Sequence, residues 1–262
     1  MPLALVTGAT AGIGAAFART LAGQGYDLVL VARDAARLSA LADELSTAHG
    51  ISGTALPADL STLDGCALVE RRLADPGTPV DLLVNNAGIG LNRSVLASST
   101  DDLDRLLDLN VRAVQRLTHA ALTAMVPRRQ GAVVNVSSVA GFLVMPGSTY
   151  SASKAWVTNF SESVGLLARR HGVRVMALCP GYVRTEFHER AGIDSTKIPG
   201  WLWLSADDVV RYGLRDLRRG RLVSVPAWRY KAAVLGARYV PRAIFRRAAM
   251  RTGRRLGQPE PT

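Results

Sequence analysis

The stretch Leu3-Ala4-Leu5-Val6-Thr7-Gly8-Ala9-Thr10-Ala11-Gly12-Ile13-Gly14 decides how this chain is read. A short apolar run fit for a buried strand passes directly into a glycine-rich turn, and helical spacing begins at Gly14 and continues to Gln24. Glycines in such a turn permit a tight bend, close approach of the backbone to a phosphate and tight packing of helix on strand. The helix N-terminus adds amides and the positive end of a dipole. Strand, turn and helix together predict a dinucleotide site that uses Thr7, Gly8, Thr10, Gly12, Ile13 and Gly14.

Outward from this stretch, short apolar runs recur at 28–32, 54–58, 82–85, 132–136 and 174–179. Helical patterns separate them at 35–49, 101–125 and 151–171. Strands with little polar alternation, alternating with helices, predict an α/β fold: a doubly wound parallel sheet with helices on both faces, whose ligand lies beyond the carboxyl ends of the strands. No internal repeat or linker divides it.

The 262 residues carry 32 Lys and Arg against 21 Asp and Glu, a formal net charge of +11. The excess is not spread. Residues 1–210 hold 18 basic and 19 acidic groups, whereas residues 211–262 hold 14 and 2. A near-neutral dinucleotide-binding domain at 1–210 is therefore expected, followed by a basic helical C-terminal extension at 211–262, packed on or projecting from the same domain. Two cysteines, Cys66 and Cys179, cannot form a disulfide framework and lack the spacing of a zinc site, so no metal is expected. Too few residues precede the glycine turn for a leader, and no apolar stretch reaches the roughly 18 residues of a membrane span. A cytoplasmic location is the expectation.

The second apolar run ends in Ala32-Arg33-Asp34, about 20 residues beyond the glycine turn, where the group facing the adenosine ribose belongs. Arg33, a planar and permanently charged donor, suits a 2′-phosphate, which favours NADP(H) over NAD(H). Asp34 could instead simply cap the next helix. Asp59-Leu60, after the third run, is placed to meet the adenine, with helix capping by Asp59 as the alternative. Asn85-Asn86-Ala87-Gly88 ends the fourth run. Small residues at Asn86, Ala87 and Gly88 let the backbone approach the cofactor ribose, and asparagine amides can tie neighbouring strands together.

Tyr150 and Lys154 stand four residues apart at the start of a helical pattern and so share one face. A phenol is a poor base at neutral pH, but a neighbouring ammonium and an oxidised nicotinamide both favour phenolate. Ser138, in Ser137-Ser138-Val139-Ala140-Gly141, can hydrogen-bond the carbonyl oxygen that Tyr150 protonates. Asn110 could hold a water linking Lys154 to solvent. These four form the candidate catalytic set.

With these motifs in view the chain resembles the short-chain dehydrogenase/reductase family over about residues 3 to 190. The resemblance rests on TGxxxGxG at Thr7 to Gly14, NNAG at Asn85 to Gly88, the helix Asn110, SSxAG at Ser137 to Gly141, YxxxK at Tyr150 to Lys154 and PGxVxT at Pro180 to Thr185. It implies a Rossmann-type sheet of about seven strands, hydride transfer from nicotinamide C4, a Ser138, Tyr150, Lys154 and Asn110 tetrad, and a homodimer or homotetramer. It further implies that Lys154 and Tyr150 contact the nicotinamide ribose and that Pro180, Gly181, Val183 and Thr185 lie beside the carboxamide and phosphates. Family members commonly place the serine 13 residues before the tyrosine, a spacing met by Ser137, whereas Ser138 stands 12 before it. Because the serine usually precedes xxG, Ser138 is taken, with Ser137 as the alternative.

The segment 181–205 is apolar and interrupted by Gly and Pro. Through Phe187, Ile193, Ile198, Trp201, Leu202, Trp203 and Leu204 it suits a lid over a hydrophobic substrate, assisted by loops at 89–93 and 142–145. Core packing or oligomer contact is the competing role for Trp201 and Trp203. A lipophilic ketone or β-ketoacyl/lipid compound is the expected small-molecule substrate. Residues 226–257, from Trp228, Arg229, Tyr230 and Lys231 through Tyr239, Val240, Pro241, Ile244, Phe245, Met250 and Arg255, interleave basic with apolar side chains, as in a helix lying at an inner membrane face or on a partner protein, with a solvated helix whose apolar stripe packs on the domain as the alternative. No nucleic-acid partner is expected. Two rival readings remain: a catalytically silent NADP(H)-binding regulator, and a membrane- or nucleic-acid-associated protein acting through its basic extension.

Overall fold

The computed structural model describes residues 1–194 and 198–239. Its centre is a seven-stranded, wholly parallel sheet in the order β3-β2-β1-β4-β5-β6-β7. The strands are β1 (Leu3–Thr7), β2 (Asp27–Ala32), β3 (Gly53–Pro57), β4 (Leu82–Asn85), β5 (Ala132–Val136), β6 (Arg174–Leu178) and β7 (Val223–Ser224). The helices are α1 (Gly12–Ala22), α2 (Ala35–His49), α3 (Leu63–Ala74), α4 (Thr100–Leu107), α5 (Ala113–Arg128), α6 (Thr149–Arg169), α7 (Phe187–Arg190), α8 (Ala206–Arg218) and α9 (Trp228–Tyr239). β4 and β5 are buried at every position, as a sheet covered on both faces requires. β3, at the edge, alternates with solvent and tolerates Pro57.

Each face buries its own core. Phe17 and Leu21 of α1, Leu38 and Leu45 of α2, and Val209 and Val210 of α8 fill one side. Cys66 and Val69 of α3, Leu117 and Met125 of α5, and Val175 fill the other. Strand order reverses between β1 and β4, so a crevice opens above their carboxyl ends.

The helical pattern at 101–125 is not one continuous helix. A π-turn at Asp108–Arg112 separates α4 from α5. The extra residue turns the fully buried Asn110 towards Ile89, whose backbone engages its amide on both sides, and this pairing accounts for the local unwinding. Two elements beyond residue 200 lie outside the strand and helix patterns read from the sequence, although α8 is strongly amphipathic. α8 runs across residue 210, and β7 is two residues long but completes the sheet edge beside β6. Tyr239 ends the described part of the C-terminal segment; Val240, Pro241, Ile244, Phe245, Met250 and Arg255 lie outside the described residues.

Polar groups also cross the interior. The Asn85 amide donates to Asn135 Oδ1 at 2.9 Å and to Thr118 Oγ1 at 3.2 Å, and the Asn135 amide donates to Ser161 Oγ at 2.9 Å. This chain of buried bonds joins β4 and β5 to α5 and α6, the helix that carries Tyr150 and Lys154. Replacing Asn135 with Leu removes a buried partner from the Asn85 amide, which keeps Thr118, and from the Ser161 hydroxyl, which keeps the Val157 carbonyl, and sets an apolar side chain among these polar groups. The expected cost is about 2–4 kcal/mol of unfolding free energy, read as a lower urea midpoint at unchanged slope.

Candidate active site

The glycine turn lies between β1 and α1. Gly8 and Gly12 have positive φ, +64° and +53°. A Cβ on Gly12 would stand 2.9 Å from the Thr185 methyl, and one on Gly14 would stand 2.1 Å from the Gly8 carbonyl oxygen. Ala11 precedes α1 without offering a side-chain cap, so the amides of the first turn are left for a ligand. Ile13 packs against the core beneath. This narrow backbone cradle fits a pyrophosphate.

Thr7 holds the cradle to β4. Its hydroxyl accepts from the Asn86 and Ala87 amides at 2.9 and 3.0 Å and donates to the Val84 carbonyl. The Asn86 side-chain amide donates in return to the Thr7 and Gly8 carbonyls at 3.0 and 3.2 Å. Thr7 and Asn86 are thus a latch across the crevice. Gly88 follows, and a Cβ there would lie 3.1 Å from Asn110 Oδ1 and 3.6 Å from Lys154 Nζ.

On the adenosine side, Arg33 is exposed and makes no hydrogen bond or ion pair with any described residue. Such a free guanidinium just past β2 fits a ribose 2′-phosphate. Asp34 accepts from the Arg37 amide at 3.0 Å and caps α2. Asp59 does not cap α3, a role taken by Thr62. Its Oδ1 instead accepts from the Ser61 amide and hydroxyl at 2.9 and 2.7 Å. Partial burial would raise the Asp59 carboxyl, but the two Ser61 bonds, with Arg33 and Arg105 nearby, hold it below its ordinary value. Leu60 is buried in the core. Arg37 is a cleft residue that sequence reasoning passed over; its guanidinium reaches the Thr10 carbonyl, a contact across the fold that no local pattern signals.

The chemical residues converge at the start of α6. Lys154 is buried, and its ammonium donates to the Val136 carbonyl at 2.9 Å, 5.8 Å from the centre of the Tyr150 ring. Ser137 and Ser138 face different ways. The Ser137 hydroxyl is buried, donates to the Lys154 carbonyl and bonds Thr158 Oγ1, both at 2.7 Å, which fastens α6 to the sheet. Ser138 accepts from the Ala140 amide at 3.1 Å, and its hydroxyl meets the Tyr150 phenol. Asn110 makes two 2.9 Å bonds to Ile89 and a longer one to Ser153, so its side chain positions the loop after Gly88.

The electrostatics differ from the sequence expectation that Lys154 lowers the Tyr150 pKa. Burial dominates, pushing the phenol up to about 12 against the opposing pull of Ser138, and pushing the Lys154 ammonium down to about 8. In the chain by itself Tyr150 is therefore a protonated acid.

The segment after β6 covers this chemistry. The Val139 amide donates to the Pro180 carbonyl, Val183 bridges to Leu204, and Thr185 accepts from the Phe187 amide. The Phe187 ring lies 5.7 Å from that of Tyr150. His188, buried and lowered from its ordinary pKa by that burial, sits among Tyr182 and Trp203. Arg184, Thr185, His188, Ile193 and Trp203 line a cavity of about 560 Å³. Trp203 is partly buried, whereas Trp201 is 66% exposed. Tyr230 packs into the domain, as the alternative of an apolar stripe against the fold expects, and does not face outward. It is buried over Gly181, where a Cβ would fall 1.9 Å from its ring, and its hydroxyl donates to the Leu202 carbonyl and accepts from the Tyr182 amide.

A profile of the short chain dehydrogenase family matches residues 2–195. The oxidoreductase UcpA of Escherichia coli (strain K12) is 39% identical over 188 residues, 71% of each chain. A short-chain dehydrogenase from Sphingobium yanoikuyae, solved in complex with NADPH, superposes with a TM-score of 0.83 at 35% identity, covering 100% of this chain and 99% of that one. A bulky-bulky ketone specific alcohol dehydrogenase from Comamonas testosteroni superposes with a TM-score of 0.78 at 29% identity, covering 100% and 97%.

The two serines are separable by experiment. Ser138→Ala is expected to lower kcat of carbonyl reduction on the order of 10²- to 10³-fold, the usual cost of losing one donor to a reacting oxygen, with the thermal midpoint unchanged. Ser137→Ala should do the reverse, lowering the midpoint by several degrees through two lost buried bonds while kcat stays within a few-fold.

Proposed function

The chain belongs to the short-chain dehydrogenase/reductase family, an assignment that carries NAD(P)-dependent oxidoreduction with it, and we propose that it reduces a hydrophobic ketone or β-ketoacyl compound with NADPH. One observation carries this reading. The Tyr150, Lys154 and Ser138 group and the glycine cradle meet through a single backbone stretch, with Ala87 against Gly8 and Gly88 against Lys154.

NADP(H), when bound, supplies or accepts the hydride at the carbonyl carbon. Tyr150 holds its proton through the neutral range and donates it to the carbonyl oxygen; in the reverse direction it recovers the proton from the alcohol. Ser138 hydrogen-bonds that oxygen and fixes its distance from the phenol. Lys154, anchored at the Val136 carbonyl, presents a cation to the phenolate left behind. Asn110 is a positioning residue that holds Ile89, and with it Gly88, against Lys154.

The choice of NADP(H) draws on the exposed Arg33, whose guanidinium makes no hydrogen bond or ion pair with a described residue, and on the NADPH complex of the Sphingobium protein. The apolar substrate class draws on Phe187 beside the Tyr150 ring, on Tyr182 and Trp203, which reach Phe187 through His188, and on the kind of ketone for which the Comamonas enzyme is named. Leu166 and Leu167, exposed late in α6, support assembly into a homodimer or homotetramer. No helix among the described residues is long and apolar enough to cross a membrane. The basic C-terminal segment is proposed to make peripheral contact with an anionic inner membrane face, in a cytoplasmic protein.

Two experiments test the reading. Arg33→Ala should weaken NADP⁺ binding on the order of tenfold in a fluorescence titration and leave NAD⁺ nearly unaffected; equal losses for both would remove the basis for choosing NADP(H). The second concerns pH. Lys154 loses its charge near pH 8, so kcat for ketone reduction should fall as pH rises through about 8. Lys154→Arg, which keeps its charge, should move that fall to higher pH, and an unmoved profile would disconnect Lys154 from the proton transfer.

A further inference from the structure

Arg37 belongs to both sides of the cleft. From the first turn of α2 its guanidinium donates to the Thr10 carbonyl of the glycine turn at 3.2 Å and to Glu186 Oε1 at 3.4 Å. Glu186 immediately precedes α7, and its second carboxylate oxygen pairs with Arg190 one turn along. Arg37 and Arg33 flank Asp34, the cap that fixes the first turn of α2, so the two guanidinium groups leave the same short segment. Their situations differ. Arg33 makes no hydrogen bond or ion pair with a described residue, whereas Arg37 is paired with an acid 149 positions away in sequence.

We propose that Arg37 is shared between Glu186 and the 2′-phosphate of the coenzyme, so that Glu186 is an intramolecular competitor that lowers affinity for the phosphorylated coenzyme and gives up α2 when that coenzyme binds. This rests on the NADP(H) reading above. The physical grounds are charge and geometry. Glu186 takes only Nη2 of Arg37, but its carboxylate sets a negative charge against the guanidinium that a phosphate must approach, and the phosphate carries more charge and more acceptor oxygens. The Arg37 and Glu186 side chains are each about half exposed, at 49% and 46%, and an ion pair so placed is weak enough to exchange. Coenzyme lacking the 2′-phosphate offers Arg37 no competing charge and leaves the pair intact. The exchange also reaches the reaction site, because α7 begins with Phe187, whose ring faces Tyr150. Arg37 thus acts as a specificity residue that connects the identity of the coenzyme to the element over the substrate.

Calorimetric titration of the full-length protein with NADP⁺ and NAD⁺ tests this without any turnover. Glu186→Gln should bind NADP⁺ about two- to fivefold more tightly than the parent, the range expected when an exposed ion pair is removed from competition, with NAD⁺ binding unchanged. In an Arg37→Leu background NADP⁺ should bind more weakly, and Glu186→Gln should then have no effect. Equal changes for the two coenzymes, no gain with Glu186→Gln, or a gain that survives Arg37→Leu would each overturn the competition. The parent reading fails separately: equal affinity of the unaltered protein for NADP⁺ and NAD⁺ leaves no phosphate site to compete for, whereas a preference for NADP⁺ that Arg37→Leu lowers and Glu186→Gln leaves unchanged removes the competition alone.

Discussion

Everything at this cleft depends on how two strand ends are held apart and together at once. β1 and β4 are neighbours in the sheet, but the chain leaves them in opposite directions, and the gap above them is where a ligand can enter. The Thr7 hydroxyl, bonded to two successive amides, and the Asn86 amide, bonded to two successive carbonyls, fix that gap with four hydrogen bonds. A smaller or apolar residue at either position would leave buried backbone groups unpaired and let the cradle slide against the Gly88 to Ile89 turn. From that turn the constraint passes through Asn110 to the neighbourhood of Lys154.

A second consequence concerns charge. Burial opposes ionisation of both Tyr150 and Lys154, so the free chain favours a neutral phenol and weakens the hold of Lys154 on its proton. An acid prepared for carbonyl reduction is the natural resting form of such a pair, whereas oxidation begins from a state that burial disfavours. A bound oxidised nicotinamide would add positive charge and ease the way to phenolate. The bias of the chain by itself therefore agrees with the direction that an NADPH pool would drive.

Much of this was legible in sequence because it is local. The glycine turn, the Tyr150 and Lys154 spacing and the apolar strand runs are patterns over a few residues, and the doubly wound parallel sheet appears as they predict. What escaped is non-local or energetic. The π-turn at Asn110 exists because Ile89, 21 residues away, engages the amide. The different directions of Ser137 and Ser138 are set by Thr158 and α6. Tyr230 looks like one aromatic among arginines until the space above Gly181 demands a flat ring. β7, two residues long, exists because β6 offers it an edge. Arg37 looks like a routine helix residue, and its partner Glu186 lies on the other side of the cleft.

The two halves of the sheet do different work, and they meet at a contact with little tolerance. β1 to β3 bring a backbone cradle rimmed by arginines, while β4 to β6 and the start of α6 bring the reacting side chains. Above the sheet the Thr185 methyl fills the space where a side chain at Gly12 would stand, and the Thr185 hydroxyl accepts from the Phe187 amide at the start of α7. The chain of contact therefore runs from the phosphate cradle through Thr185 to Phe187 and on to the Tyr150 ring. Any group on Gly12 would have to displace Thr185, and Phe187 would follow it. Cofactor cradle and substrate cover are thus one packing problem, which explains why a glycine with positive φ, a β-branched threonine and an aromatic ring occupy three positions so far apart in sequence.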